Sequence, residues 1–148
     1  MGKDFFNRDM QLFITERFDW KRFLSLRQLD DAPVDVAAEL DTYTTILRTV
    51  GDVCEDIEEG ALDHWHEEVA LKDGVVVVPP HIASGYEKLR NAGLICLTLS
   101  SKYGGYGLPM LLNACYLEMV SRADSSLMTI VGLQAGVAGD IEKYGSDE

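Results

Sequence analysis

Three groups of residues in this chain have types that could do chemistry. The first is His64-Trp65-His66-Glu67-Glu68, which has the side chains of a metal site. Imidazoles two residues apart do not face each other on a helix, and no third ligand stands at a recognised metal spacing. We read it as a solvated loop carrying a half-buried Trp65. The second is the turn Lys102-Tyr103-Gly104-Gly105-Tyr106-Gly107. Its glycines accept φ > 0 and permit a sharp turn, and a helical pattern follows, as in a phosphate-binding loop. No strong strand feeds it, however, and Pro109 removes an N–H that an anion would need. The third is Cys54, Cys96 and Cys115. Widely spaced, odd in number and in apolar contexts, they read as buried cytosolic thiols rather than as a disulfide or zinc set. The sequence contains no dinucleotide fingerprint, Walker loop or nucleophile elbow.

The elements that would position these groups are mostly helical. Val36, Leu40, Tyr43, Leu47, Val50, Cys54 and Ile57 recur at alternating steps of four and three. That period suits a helix lying antiparallel to its neighbours better than a dimeric coiled coil. Gly51 inside it weakens the helix, for which close approach of another helix is a reason, and Gly60 ends or kinks it. Lys72-Asp73-Gly74 is a turn, and Val75 to Val78 favours an extended segment. Pro80 presets a first helical turn, Ile82, Tyr86 and Leu89 continue it, and Gly93 stops it. Leu94 to Leu99 is a buried connector. Beyond the glycine turn, Leu108, Leu111, Leu112, Cys115 and Met119 form one helical stripe, with Glu118 and Arg122 placed to pair four residues apart. Leu127, Ile130, Val131, Val137 and Ile141 form another, capped by Asp124 or Ser125. The spacing therefore predicts helices over 35–58, 80–92, 108–122 and 126–143. The fold class is all-α, a bundle of about five or six helices, with at most a short extended segment near 75–78.

Gly132, Gly136 and Gly139 thin one face of the last helix. Either another helix packs closely there, or something else approaches the backbone. The first thirty residues are rich in aromatics, with Phe13, Arg17, Trp20 and Leu24 at helical steps. This segment either folds onto the body or contacts another chain. Asp30-Asp31-Ala32-Pro33 breaks it from the rest. The length bounds the chain to one domain. A net charge of −12 opposes nucleic acid or an anionic membrane as partner. No apolar run reaches the length of a membrane span, and no signal peptide is visible, so a cytoplasmic location is expected.

Several pieces stand in a telling order: Ala92-Gly93-Leu94, Tyr103-Gly104-Gly105-Tyr106-Gly107-Leu108-Pro109, Glu118 through Leu127, Gly132 through Gly139, and Tyr144-Gly145-Ser146-Asp147-Glu148. In that order and spacing they resemble the N-terminal helical domain of acyl-CoA dehydrogenases. The resemblance covers the last two thirds of the chain and, more loosely, residues 35–80. Gln11-Leu12-Phe13-Ile14-Thr15-Glu16 with Phe18-Asp19-Trp20 is similar to an N-terminal extension in one branch of larger members that act on long or unusual acyl-CoAs. Residues 1–32 are then the extension and 33–148 the family domain.

The resemblance implies a parent enzyme that dehydrogenates acyl-CoA thioesters at the α,β bond with FAD and passes electrons to an electron-transfer flavoprotein, as a homo-oligomer. In the family the flavin contacts and the catalytic Glu lie in later domains. No catalytic, cofactor or metal residue is therefore assigned to this chain, and alone it is expected to be inactive and free of FAD. Its acidity also opposes a direct grip on the CoA phosphates. Ser146-Asp147-Glu148 looks like the start of another helix, as in a piece of a longer enzyme. The helix after Arg122-Ala123-Asp124 is the one that lies along the fatty-acyl tail in the family. Carried over, the pocket wall is Met128, Thr129 and Gly132. The rival readings are a free-standing helical interaction module that keeps the fold without catalysis, and an unrelated bundle.

Overall fold

The computed structural model describes residues 4–27 and 35–146. The break at 30–33 and the helix start at 147–148 lie outside the described residues. The chain order is α1 (Arg8–Leu12), α2 (Trp20–Arg27), α3 (Val36–Ala61), β1 (Ala70–Lys72), β2 (Val75–Val77), α4 (Pro80–Asn91), α5 (Met110–Ala123) and α6 (Ser125–Tyr144). The expected all-α bundle is what forms, with one hairpin as its sheet. A π-helical turn, Phe13–Arg17, continues α1.

Each helix starts and stops for a local reason. The Asp35 carboxylate accepts from Ala37 and Ala38 N–H at 3.0 and 3.1 Å, which satisfies two of the amides that α3 leaves orphaned. Asp124 does the same for α6, accepting from Ser126 and Leu127 N–H at 2.8 and 3.0 Å. Pro80 opens α4. At its other end Gly93 has φ +70°, while Gly93 N–H donates to Arg90 O and Leu94 N–H to Leu89 O. Those two bonds are a Schellman closure, which needs the left-handed backbone at its C′ position. Asp73 and Gly74, at φ +52° and +77°, join Lys72 to its partner Val75. Positive φ at both loop residues is the type I′ turn that matches strand twist. The sequence reading placed this turn and the valine run, but not β1.

α3 is the central column. Its buried face is Tyr43, Leu47, Val50, Gly51, Cys54, Ile57 and Ala61, as the spacing predicts. It packs against α4 and α5, and α6 closes the layer across α5 and α4. Leu47, Leu112 and Leu127 are wholly buried, each stabilising the fold by about 1.5–3 kcal/mol. Lys88 Nζ donates to Asp56 O at 2.6 Å and ties α4 to α3. Tyr86 Oη donates to Gln134 Oε1 at 3.1 Å and ties α4 to α6.

The N-terminal extension folds back onto this body. Phe5, Phe6, Met10, Ile14, Trp20 and Leu24 join the core. Trp20 Nε1 donates to Ile14 O at 2.6 Å, and its ring meets Tyr43 of α3 at 5.3 Å between centroids. Gly51 faces Phe5 and Phe6, so its close neighbour is this segment and not another helix. Arg122 does not pair with Glu118. It donates to Phe5 O at 3.1 Å and lies over the Phe5 ring.

Candidate functional site

α6 carries the residues assigned to the pocket wall, at different depths. Leu127, Val131 and Ala135 face the core. Met128 is half-buried at the core edge. Thr129 stands on the exposed side and donates to Ser125 O at 3.0 Å. Gly132 sits on the shoulder between them: a Cβ there would lie 3.4 Å from Leu117 Cδ2 of α5 and 3.8 Å from Met128 Sδ. Cβ atoms at Gly136 and Gly139 would meet nothing within 4 Å. No helix among the described residues packs on that part of α6, so close packing within this chain does not account for these two glycines.

The second apolar stripe needs correction. Ile130, Val137 and Ile141 were expected to share the buried face with Leu127 and Val131. Val137 and Ile141 are instead 60% and 65% exposed, and Leu133 and Tyr144 accompany them. α6 is apolar around most of its circumference, so periodicity does not mark which side a neighbour covers. The result is an open apolar stripe, with Gly132, Gly136 and Gly139 on a neighbouring side of the helix that no described residue covers at Gly136 and Gly139. An open cleft of about 560 Å³ adjoins its C-terminal half, lined by Leu99, Lys102, Tyr103, Ala138, Ile141 and Glu142 among others.

The glycine turn forms the other wall of that cleft. Its amides from Tyr103 onward are used internally: Tyr103 and Gly105 N–H donate to Ser100 O, Gly104 to Ser101 O, Tyr106 and Leu108 to Leu97 O, and Gly107 to Leu99 O. A phosphate cradle needs free N–H groups converging on one point, and this loop has none to give. Gly104 and Gly107 take positive φ. The Glu142 carboxylate accepts from Ser100 N–H at 3.2 Å and fastens the turn to α6.

None of the thiols is poised as a nucleophile. Burial pushes the Cys54 thiol up to about 12, against a weaker downward pull from Arg122. Cys115 is raised by burial and then by Glu118, and Cys96 by burial. Burial also raises Tyr116, whose buried hydroxyl has no hydrogen-bond partner.

The His64–Glu68 segment forms turns after α3, and Trp65 is 80% exposed rather than half-buried. The segment's neighbour in space is a residue that local sequence does not point to, His81 in the first turn of α4. His64 Nδ1 lies 2.7 Å from Glu67 Oε1, and His81 Nδ1 lies 3.9 Å from Glu67 Oε2. His81 Nε2 faces Asp124 Oδ2 at 3.6 Å. The two imidazoles are near-parallel, 6.0 Å between centroids, so their in-plane lone pairs do not converge on one ion. Among the described residues no group of three such side chains could hold a metal.

The fold, the glycine turn and the capped helix after Arg122-Ala123-Asp124 meet in one finding. Residues 43–148 match the family model described as acyl-CoA dehydrogenase, N-terminal domain. The chain belongs to the acyl-CoA dehydrogenase family. It is 27% identical over 148 residues to 3-methylmercaptopropionyl-CoA dehydrogenase of Ruegeria pomeroyi, an alignment covering 95% of this chain and 23% of that protein. The chain thus spans about a quarter of that relative's length, and the match takes in most of the N-terminal extension. No solved structure matches the chain with significance. No helix among the described residues is long and apolar enough to cross a membrane.

Proposed function

We propose that this chain is the N-terminal domain of a FAD-dependent acyl-CoA dehydrogenase and supplies one wall of the acyl pocket. The observation that carries the reading is the open, glycine-lined side of α6, on a chain whose residues 43–148 match the family domain. An acyl tail laid along that face would touch Thr129, the Gly132 shoulder and the backbone at Gly136. Met128, at the core edge, is unbranched and polarizable and can adjust to different tails.

The parent reaction in this reading is α,β-dehydrogenation of an acyl-CoA thioester, the flavin taking up the hydride. The glycine turn does not fit a flavin pyrophosphate, because the amides from Tyr103 to Leu108 are already committed. The catalytic base, the flavin seat, the contact with an electron-transfer flavoprotein and the homo-oligomeric assembly belong in this reading to other parts of a longer cytoplasmic protein. The second reading is a free-standing helical interaction module. The wholly apolar exposed hairpin strand Val75–Val77 favours it.

The test is kcat/KM across acyl-CoA lengths, with 3-methylmercaptopropionyl-CoA included, in a longer protein carrying this domain. Gly132→Leu should reject the longest accepted acyl groups and spare short ones, each misfitting methylene being worth about 1–3 kcal/mol. A uniform fall at all lengths, or lost thermal stability with unchanged length preference, would assign Gly132 to packing against Leu117. A protein with no dehydrogenase activity at any length would favour the interaction module.

A further inference from the structure

His81 sits between two carboxylates that come from different parts of the chain. Its side chain is only 7% exposed, and so is nearly that of Asp124 at 8%. Glu67 Oε2 lies 3.9 Å from Nδ1, and Asp124 Oδ2 lies 3.6 Å from Nε2. Nδ1 is buried and has no hydrogen-bond partner. A neutral imidazole has one N–H and one lone pair. Between two carboxylates, whichever nitrogen lacks the proton turns its lone pair toward another lone pair. Only the imidazolium can donate in both directions; the gaps of 3.6 and 3.9 Å are ion-pair contacts, about 0.4 and about 0.7 Å beyond the longest good hydrogen bonds.

Every charged or titratable group around His81 enters this balance. Glu67 and Asp124 favour the imidazolium. Arg122, which lines the same cavity of about 380 Å³, and the positive end of α4 oppose it. His64 stacks on His81 and binds the other oxygen of Glu67. His66 is close enough to act on Glu67, whose carboxyl is held below its usual range, first by the His64 hydrogen bond. The charges thus pull both ways, but only the imidazolium presents an N–H toward each carboxylate.

We propose that His81 is a proton-sensing tie. When doubly protonated it clamps the 62–69 turn to the junction of α5 and α6, and loss of one proton releases that turn. Glu67 lies three residues before β1. The element that gains freedom is therefore the hairpin, whose Leu71, Val75 and Val76 are exposed. Asp124 also caps α6, so the tie anchors the hairpin to the helix that carries the open face.

The experiment is backbone hydrogen exchange of the hairpin amides, Ala70 to Val77, in the full chain from about pH 5 to about pH 8, where histidines titrate. Protection factors, corrected for intrinsic rates, should fall about tenfold as His81 loses its proton. In His81→Gln they should be low and independent of pH, while His64→Gln should keep the fall. A fall that persists in His81→Gln, or none in the wild type, would overturn the proposal. If His81→Gln does not fold, the imidazole ¹⁵N shifts of the wild type decide. The hairpin transition must coincide with His81 going from two ring N–H groups to one, and coincidence with His64 or His66 instead would overturn the tie.

Discussion

Gly105 is held by geometry and not by dihedral freedom. It has no positive φ, yet a Cβ built on it would overlap the Leu99 carbonyl. The obstacle is backbone, which cannot swing aside as a side-chain tip can. Gly105→Ala should therefore destabilise the chain by about 1–3 kcal/mol, read as a lower urea midpoint at unchanged slope. Gly104, at φ +79° with nothing within 4 Å of its Cβ position, should tolerate Asn better than Ala, since Asn visits the left-handed region more readily. Cys54 gives a prediction in pH. Its thiol is raised by burial from 9.0 to about 12. Between those values the unfolded chain has released this proton and the folded chain still holds it, so the stabilising contribution is complete below about pH 9 and is lost as pH rises toward 12. Cys54→Ala should flatten that alkaline decline, once its own cavity cost is subtracted at pH 7. Denaturation monitored from about pH 7 to about pH 11 measures both effects. An unchanged alkaline slope would show that Cys54 does not set it.

α6 and α4 give opposite predictions for glycines in helices. Gly136 lies inside α6 with no neighbour at its Cβ position. Gly136→Ala should stabilise the chain by about 0.8–1.0 kcal/mol through helix propensity, seen as a higher Tm. Gly85 is where α4 meets α6, and its Cβ would sit 2.8 Å from Leu127 Cδ2 with Ile57 behind it. Gly85→Val should cost about 1–3 kcal/mol. A stable Gly85→Val, with Leu127 unmoved in its methyl chemical shifts, would refute the close approach. The sequence shows glycines at 132, 136 and 139 as a conspicuous series and Gly85 as one glycine in a short helix. Spacing reveals which residues share a face. It does not reveal which faces meet, and close packing in fact falls on Gly85.

At the scale of the whole molecule, exposed apolar surface is set against strong acidity. Leu133, Val137, Ile141 and Tyr144 on α6, and Leu71, Val75 and Val76 on the hairpin, are all exposed. The net charge of −12 keeps copies apart at low ionic strength and is screened within about 8 Å at 0.15 M salt. The 148-residue chain should bind a hydrophobic dye, and its self-association in sedimentation should rise with added salt. A monomer that ignores both dye and salt would mean these surfaces are too dispersed to act as patches. The sequence by itself determined the helical class, the approximate boundaries of α3 to α6, the Pro80 start, a cap at Asp124 or Ser125, the Gly93 stop and the Asp73-Gly74 turn. Each of these rests on backbone groups satisfied within about four residues, so the signal is local. The family could be read from the order of short motifs for a similar reason: each is a turn or a cap with a fixed local geometry. Only the tertiary structure decided which side of α6 is covered, that Phe5 and Phe6 lie over Gly51, and that Arg122 serves the Phe5 carbonyl. It also decided that His81 stands between Glu67 and Asp124. These outcomes depend on which neighbours, from about a dozen to more than a hundred residues away in sequence, occupy each face, and an apolar or titratable side chain carries no mark of its partner until the chain has packed.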